Sequence, residues 1–151
     1  MSVFPYKGQM PDVAEDVFIA PTASVVGDVR IGAGTNIWFG SVVRGDVNSV
    51  VIGKHTNVQD NATIHTMSDA PTIIGDHVTI GHNAVVHCSK VGSNCLIGMG
   101  SVLIGYSEIG DNCVIKLLTY VLCNLTGALA VLNPEISDIL VGVAYGKTVG
   151  T

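Results

Sequence analysis

Charged side chains are what this chain of 151 residues has least of: Asp, Glu, Lys and Arg together make up 13% of it. With apolar residues at 48%, the balance is the reverse of a disordered chain's. Basic residues are the scarcer sign, 7 Lys and Arg against 12 Asp and Glu, and a net charge of −5 lacks the basic footprint that nucleic acid requires. Long apolar runs are missing too. Nothing approaches the ~20 residues of a bilayer-spanning helix, and Met1-Ser2-Val3-Phe4-Pro5 has no basic segment leading into an apolar one. The expectation is one cytoplasmic domain over residues 1–151, with neither membrane nor nucleic acid among its partners. Paired cysteines are absent as well. Cys88, Cys95, Cys113 and Cys123 fit no CxxC spacing of a zinc site, so they are expected to be small buried residues.

What the chain does have is glycine, 18 of them, and a period. From Ile19, steps of six residues give Val25, Ile31, Ile37 and Val43. After three extra residues come Ile52, Val58 and Ile64, and after a second insertion, Thr66 to Pro71, come Ile74, Ile80 and Val86. One residue is then lost, and Val91, Ile97, Leu103, Ile109, Ile115 and Val121 complete the series. Four residues beyond each aliphatic the side chain is mostly small, as in Ala23, Thr35, Ser41, Thr56, Ala62, Ala84, Cys95 and Ser101, with Val47 at the same count. The residue just after the aliphatic is often glycine, which suits a turn.

A strict six-residue period predicts an all-β fold, a parallel β-helix of hexapeptide repeats in which three repeats close one triangular coil. Five to six coils are expected, regular over about 13–121, with strands of successive coils roughly 4.8 Å apart. One coil cannot bury its own inner face, so stacking supplies the stability. Past Val121 the period fails. The tail, 122–151, is expected to cap the open end irregularly, with a short helix over Thr126 to Leu140 interrupted at Pro134. Cys95 and Cys113 stack one coil apart, in principle within disulfide reach, but two small inward residues in a ladder are the better description of them.

The same count places the chemistry. His65 and His87 each follow their aliphatic by one residue and lie one coil apart, so they stand side by side, pointing outward, close enough to share a metal ion. Arg44 occupies the same column one coil earlier. His82 lies one repeat before His87 and projects from a neighbouring corner, where it meets His65 and His87 only from another chain. Three histidines with a fourth position open to water make a catalytic zinc pattern, and sharing it between chains implies a cyclic trimer. Isolated surface histidines remain the other reading at this point; His55 and His77 are assigned to it.

The repeat, taken with Arg44-Gly45-Asp46, Gln59-Asp60, His65 and His82 to His87, resembles the gamma-class carbonic anhydrase family over about Val13 to Ile115. The resemblance implies a left-handed β-helix and a homotrimer, with His65, His82 and His87 binding zinc (or iron, or cobalt) across the subunit interface. It implies a lyase that hydrates carbon dioxide to bicarbonate. Gln59 would position the attacking hydroxide with Asn57 nearby, and Arg44, Asp46 and Asp60 would form the polar cluster joining subunits at the site. The sequence departs from that family in two places. Val47 follows Asp46, and the insertion after His65 offers only Asp69, where active members carry proton-shuttling glutamates. The segment Leu140 to Lys147 only echoes the family's C-terminal one. A metal-binding trimer without turnover is therefore the alternative, ahead of a hexapeptide acyltransferase with one histidine as general base.

Overall fold

The computed structural model describes residues 2–123 and 129–131. They form a parallel β-solenoid of about seven turns, built from one ten-stranded and one six-stranded sheet. Strands such as Ser24–Ile31, Val42–Ile52 and Val102–Ile109 bend at a corner and serve two faces of the prism. The first face stacks Val25, Val43, Ile64, Val86, Leu103 and Val121; the second stacks Ile31, Ile52, Ile74, Val91 and Ile109. The third face, the six-stranded sheet, stacks Ile19, Ile37, Val58, Ile80, Ile97 and Ile115. The coil count exceeds the period that starts at Ile19 because Val3 pairs with Val25 and Val13 with Ile31, adding turns ahead of it.

From Val25 onward, every aliphatic of the period is at most 4% exposed. Each is worth roughly 1.5–3 kcal/mol of burial, and together they are the core. Three of the corners bury a hydroxyl that the next coil satisfies: Thr35 Oγ1 donates to Gly53 O at 2.8 Å, Ser41 Oγ to Gln59 O at 2.7 Å, and Thr56 Oγ1 to Gly75 O at 3.1 Å. Other corners need a left-handed residue, and Asn61, Asn83, Asn94 and Asn112 supply it at φ 57–58°, a conformation asparagine tolerates.

Two expectations change. Val47 does not turn inward but is 50% exposed, and Val50, opposite Val29, takes the buried position. The three extra residues fall ahead of Val50, so the strand Val42–Ile52 bulges around Asp46 to Ser49. Leu129–Val131 form a strand antiparallel to Tyr120–Cys123, so a helix does not run through them; the rest of the expected helix, and the echoed segment Leu140 to Lys147, lie outside the described residues. Cys88, Cys95 and Cys113 are buried thiols, with Cys113 N donating to Cys95 Sγ at 3.4 Å.

Candidate metal centre

On the first face, the position after each buried aliphatic points outward. Strand register aligns Val26, Arg44, His65, His87, Ile104 and Leu122 in one column. The rings of His65 and His87 meet edge to face, with centroids 5.0 Å apart. His65 Nε2 lies 2.8 Å from Asp46 Oδ1. A carboxylate only accepts, so that nitrogen is the donor, and in the neutral ring the lone pair is then on Nδ1. Arg44 Nη1 donates to the other oxygen of Asp46 at 2.7 Å. Desolvation works to raise the Asp46 pKa, but the His65 hydrogen bond, its own backbone amide and the Arg44 charge together hold it below the usual value. Asp46 reaches both partners because the insertion that follows it lets the chain swing outward here.

The second group sits on the third face and the corner that follows it. Corner backbone bonds stack Phe39, Asp60, His82, Met99 and Leu117: Asn61 N donates to Phe39 O, Asn83 N to Asp60 O, Gly100 N to His82 O and Leu118 N to Met99 O, all within 2.9–3.1 Å. His82 Nδ1 lies 3.1 Å from Asp60 Oδ2. A carboxylate beside Nδ1 favours the neutral tautomer whose lone pair is on Nε2, the arrangement found in carboxylate-oriented metal histidines. Gln59 and Asn57 belong to the same side. Gln59 N is tied to Ile80 O at 2.9 Å, and Asn57 Nδ2 donates to Asn36 Oδ1, which also accepts from Trp38 Nε1. Asn57 Oδ1 is buried without a partner.

The expected site residues therefore fall into two half-sites on one chain. Arg44, Asp46, His65 and His87 share the first face, whereas Asn57, Gln59, Asp60 and His82 lie around the corner. Among the described residues no three His, Cys, Asp or Glu groups of one chain converge as a metal set. The donor chemistry does fit a borderline divalent metal, with three neutral imidazoles, provided that one protomer presents His65 and His87 to another protomer's His82. His55 and His77 stand apart, stacked on each other with ring centroids 5.1 Å apart on the far corner.

Sequence reasoning missed both carboxylate–histidine pairs, although each has a signal: Asp60 and His82 are one coil apart in a single column, and Asp46 adjoins an insertion. It also missed a groove of about 480 Å³ beside Gln59, lined by Gly81, Leu96, Met99, Val114 and Leu117. Its signal is apolar residues in the last coils at positions where the middle coils carry Asn, Thr, Asp and His.

Known proteins carry the same repeat. The family described as "Bacterial transferase hexapeptide (six repeats)" matches residues 11–45, and "Hexapeptide repeat of succinyl-transferase" matches 71–105 and 90–116. A carbonic anhydrase of Geobacillus kaustophilus is 46% identical over 109 residues, 72% of this chain and 60% of that protein. The chain belongs to the gamma-class carbonic anhydrase-like family of hexapeptide-repeat proteins. A second member, the mitochondrial gamma carbonic anhydrase 2 of Arabidopsis thaliana, is 47% identical over 69% of this chain and 38% of its own length. The chain thus spans 60% and 38% of the length of these two relatives, less than two thirds of either. A hexapeptide transferase family protein from Anaplasma phagocytophilum has the same fold, with a TM-score of 0.69 and 33% identity over 87% of this chain and 82% of that one. No helix of the described residues is long and apolar enough to cross a membrane.

Proposed function

We propose that the chain is a metal-dependent carbonic anhydrase-like enzyme that hydrates carbon dioxide to bicarbonate at sites shared between the subunits of a homotrimer. The observation that carries this reading is the division of the site: a His65–His87 pair on one face, and around the corner a His82 already oriented by Asp60. In a closed ring each protomer gives one half-site to each neighbour, and the trimer holds three sites. His65, His87 and His82 of the partner subunit would hold the metal, zinc or alternatively iron or cobalt, all suited to imidazole. When bound, such an ion supplies a Lewis acid that brings water's ionisation near neutral pH, which is the nucleophile carbon dioxide needs.

The chain's own residues do the rest. Asp60 holds the proton on His82 Nδ1 so that Nε2 stays a donor. Asp46, kept ionised beside Arg44, fixes the His65 ring. Gln59 travels with His82 to the site and offers an amide to orient the attacking oxygen. Asp69, the acid in the loop after His65, accepts from the Tyr106 hydroxyl and is the group on that loop able to take a proton outward. The thiols suit a cytoplasmic setting. A transferase reading is favoured by the name of the Anaplasma neighbour and by the apolar groove beside Gln59, but it leaves the paired half-sites without a use.

Metal analysis of the purified chain with stopped-flow carbon dioxide hydration tests the proposal. About one zinc, iron or cobalt per chain is expected, lost in His82→Ala and His87→Ala together with hydration. Wild-type protein that neither retains metal nor hydrates carbon dioxide after metal addition would sink the reading.

A further inference from the structure

The corner that leads into the third face buries one small side chain per coil: Thr35, Thr56, Val78, Cys95 and Cys113. The threonines make a fixed pair of bonds to the coil that follows. Thr35 Oγ1 donates to Gly53 O and accepts from Thr56 N at 3.1 Å; Thr56 Oγ1 donates to Gly75 O and accepts from Val78 N at 3.2 Å. Cys95 stands in the same arrangement. Its thiol donates to Gly110 O at 3.0 Å and accepts from Cys113 N at 3.4 Å. A thiol is the weaker donor and the weaker acceptor, so hydrogen bonding alone favours threonine here. The last two levels carry sulfur instead, and there the two side chains also hydrogen-bond to each other. We infer that Cys95 and Cys113 are a redox pair, and that a two-electron oxidant closes them into a disulfide that pins the strand Val114–Ile115 to its neighbour Leu96–Ile97.

The backbone already holds the pair in register. Leu96 pairs with Val114 and Ile97 with Ile115, and Leu96 N donates to Cys113 O at 2.9 Å, so the residues one place ahead stand level. Neighbouring strands are about 4.8 Å apart, inside the roughly 4.4–6.8 Å that separates the Cα atoms of a disulfide. Cys88 and Cys123 belong to another column, with Gly105 between them. Two strand spacings, about 9.6 Å, put that pair out of reach. On closure each thiol gives up one hydrogen, two electrons leave the pair and the S–S bond forms. Diamide takes both hydrogens as its hydrazine, and a hydroperoxide takes them as an alcohol and water. Val114–Ile115 is the last strand of the six-stranded sheet, with Leu96–Ile97 its one neighbour among the described residues. Such an edge opens locally before the core does, and a link directly ahead of both strands opposes that opening. Burial holds the Cys95 thiol above its usual value, partly offset by the Cys113 amide. Its thiolate is therefore scarce at neutral pH, and in a compartment buffered by glutathione the pair rests reduced.

Diamide treatment of the native full-length protein at mildly alkaline pH tests the inference. The intact mass is expected to fall by two hydrogens. Cleavage at Glu108, which lies between the two cysteines, is expected to leave peptides joined only through sulfur, and dithiothreitol to reverse both changes. In the linked protein, amide exchange at Leu96 and Gly98, whose N–H groups are bound to Cys113 O and Ile115 O, is expected to slow severalfold, with a melting temperature several degrees higher. Cys95→Thr restores the hydroxyl found at positions 35 and 56; it is expected to fold, to form no link and to show neither change. Native protein that keeps both thiols titratable after diamide would overturn the inference, as would a link through Cys88 or Cys123. A Cys95–Cys113 link that leaves exchange at Leu96 and Gly98 unchanged would overturn the pinning. If Cys95→Thr fails to fold, the linked peptide and the exchange rates of the wild-type protein decide by the same outcomes. None of these readouts uses metal content or carbon dioxide hydration, so they stand whether or not the enzymatic reading does.

Discussion

Gly81→Ala adds one methyl group beside His82, at a point where two coils touch through their backbones. A Cβ built at Gly81 stands 2.7 Å from Met99 N, 2.8 Å from Ile97 O and 2.9 Å from Gly98 C. All three atoms are main chain, so none can rotate away, and Gly81 N itself donates to Ile97 O at 2.8 Å. The coils must separate locally. Overpacking of this kind costs about 1–3 kcal/mol, and the stiffer unfolded chain returns about 0.4–1 kcal/mol. The net loss is roughly 1–2 kcal/mol, which for a domain of this size lowers the melting temperature by about 2–8 °C. Thermal unfolding followed by circular dichroism reads the shift. If His82 holds a metal as proposed, metal content falls as well, because the displaced strand carries that residue. A variant that melts at or above the wild-type temperature would refute the claim that backbone contact between these coils is what requires glycine here.

Two further outcomes follow from buried groups. Thr56→Val keeps the shape of the corner but removes a hydroxyl that donates to Gly75 O at 3.1 Å and accepts from Val78 N at 3.2 Å; a loss of about 1–3 kcal/mol in urea unfolding is expected, and an unchanged midpoint would show that the corner hydroxyls contribute nothing. Burial pushes the Cys88 thiol up to about 12 from a usual value of 9.0. Because the folded value is the higher one, the stability this thiol contributes is whole below pH 9 and is lost as pH rises towards 12. Iodoacetamide at mildly alkaline pH should therefore leave Cys88 unmodified in the native protein and label it in urea, as read by peptide mass; native-state labelling would contradict the burial.

Much of the first face was legible before any coordinates. His65 and His87 fall into one column because outward positions recur with the coil, and Arg44 joins them by the same count. The pairing of Asp46 with His65 was not legible, because it depends on where three inserted residues bulge. Counting alone placed them after Val47, whereas burying Val50 against Val29 is the lower-energy choice. The Asp60–His82 pair escaped for a different reason. Asp60 and His82 each follow their aliphatic, Val58 and Ile80, by two residues one coil apart, so the column was countable; what the count does not give is that the corner turns the carboxylate to within 3.1 Å of the ring. The apolar groove beside Gln59 escaped because Leu96 and Val114 read locally as ordinary strand residues, and only the turn geometry shows that they face outward.

By itself the sequence determined the all-β solenoid, the identity of its core and the candidate histidines, since a six-residue period of aliphatics admits one way of burying them all. The same period already divided those histidines between a face and a corner; only the tertiary structure decided which carboxylate stands at each ring, Asp46 at His65 and Asp60 at His82. A triangular coil turns its corners by fixed angles, so residues five apart in the chain, His82 and His87, end on different sides of one corner, while His65 and His87, far apart in sequence, stand ring against ring.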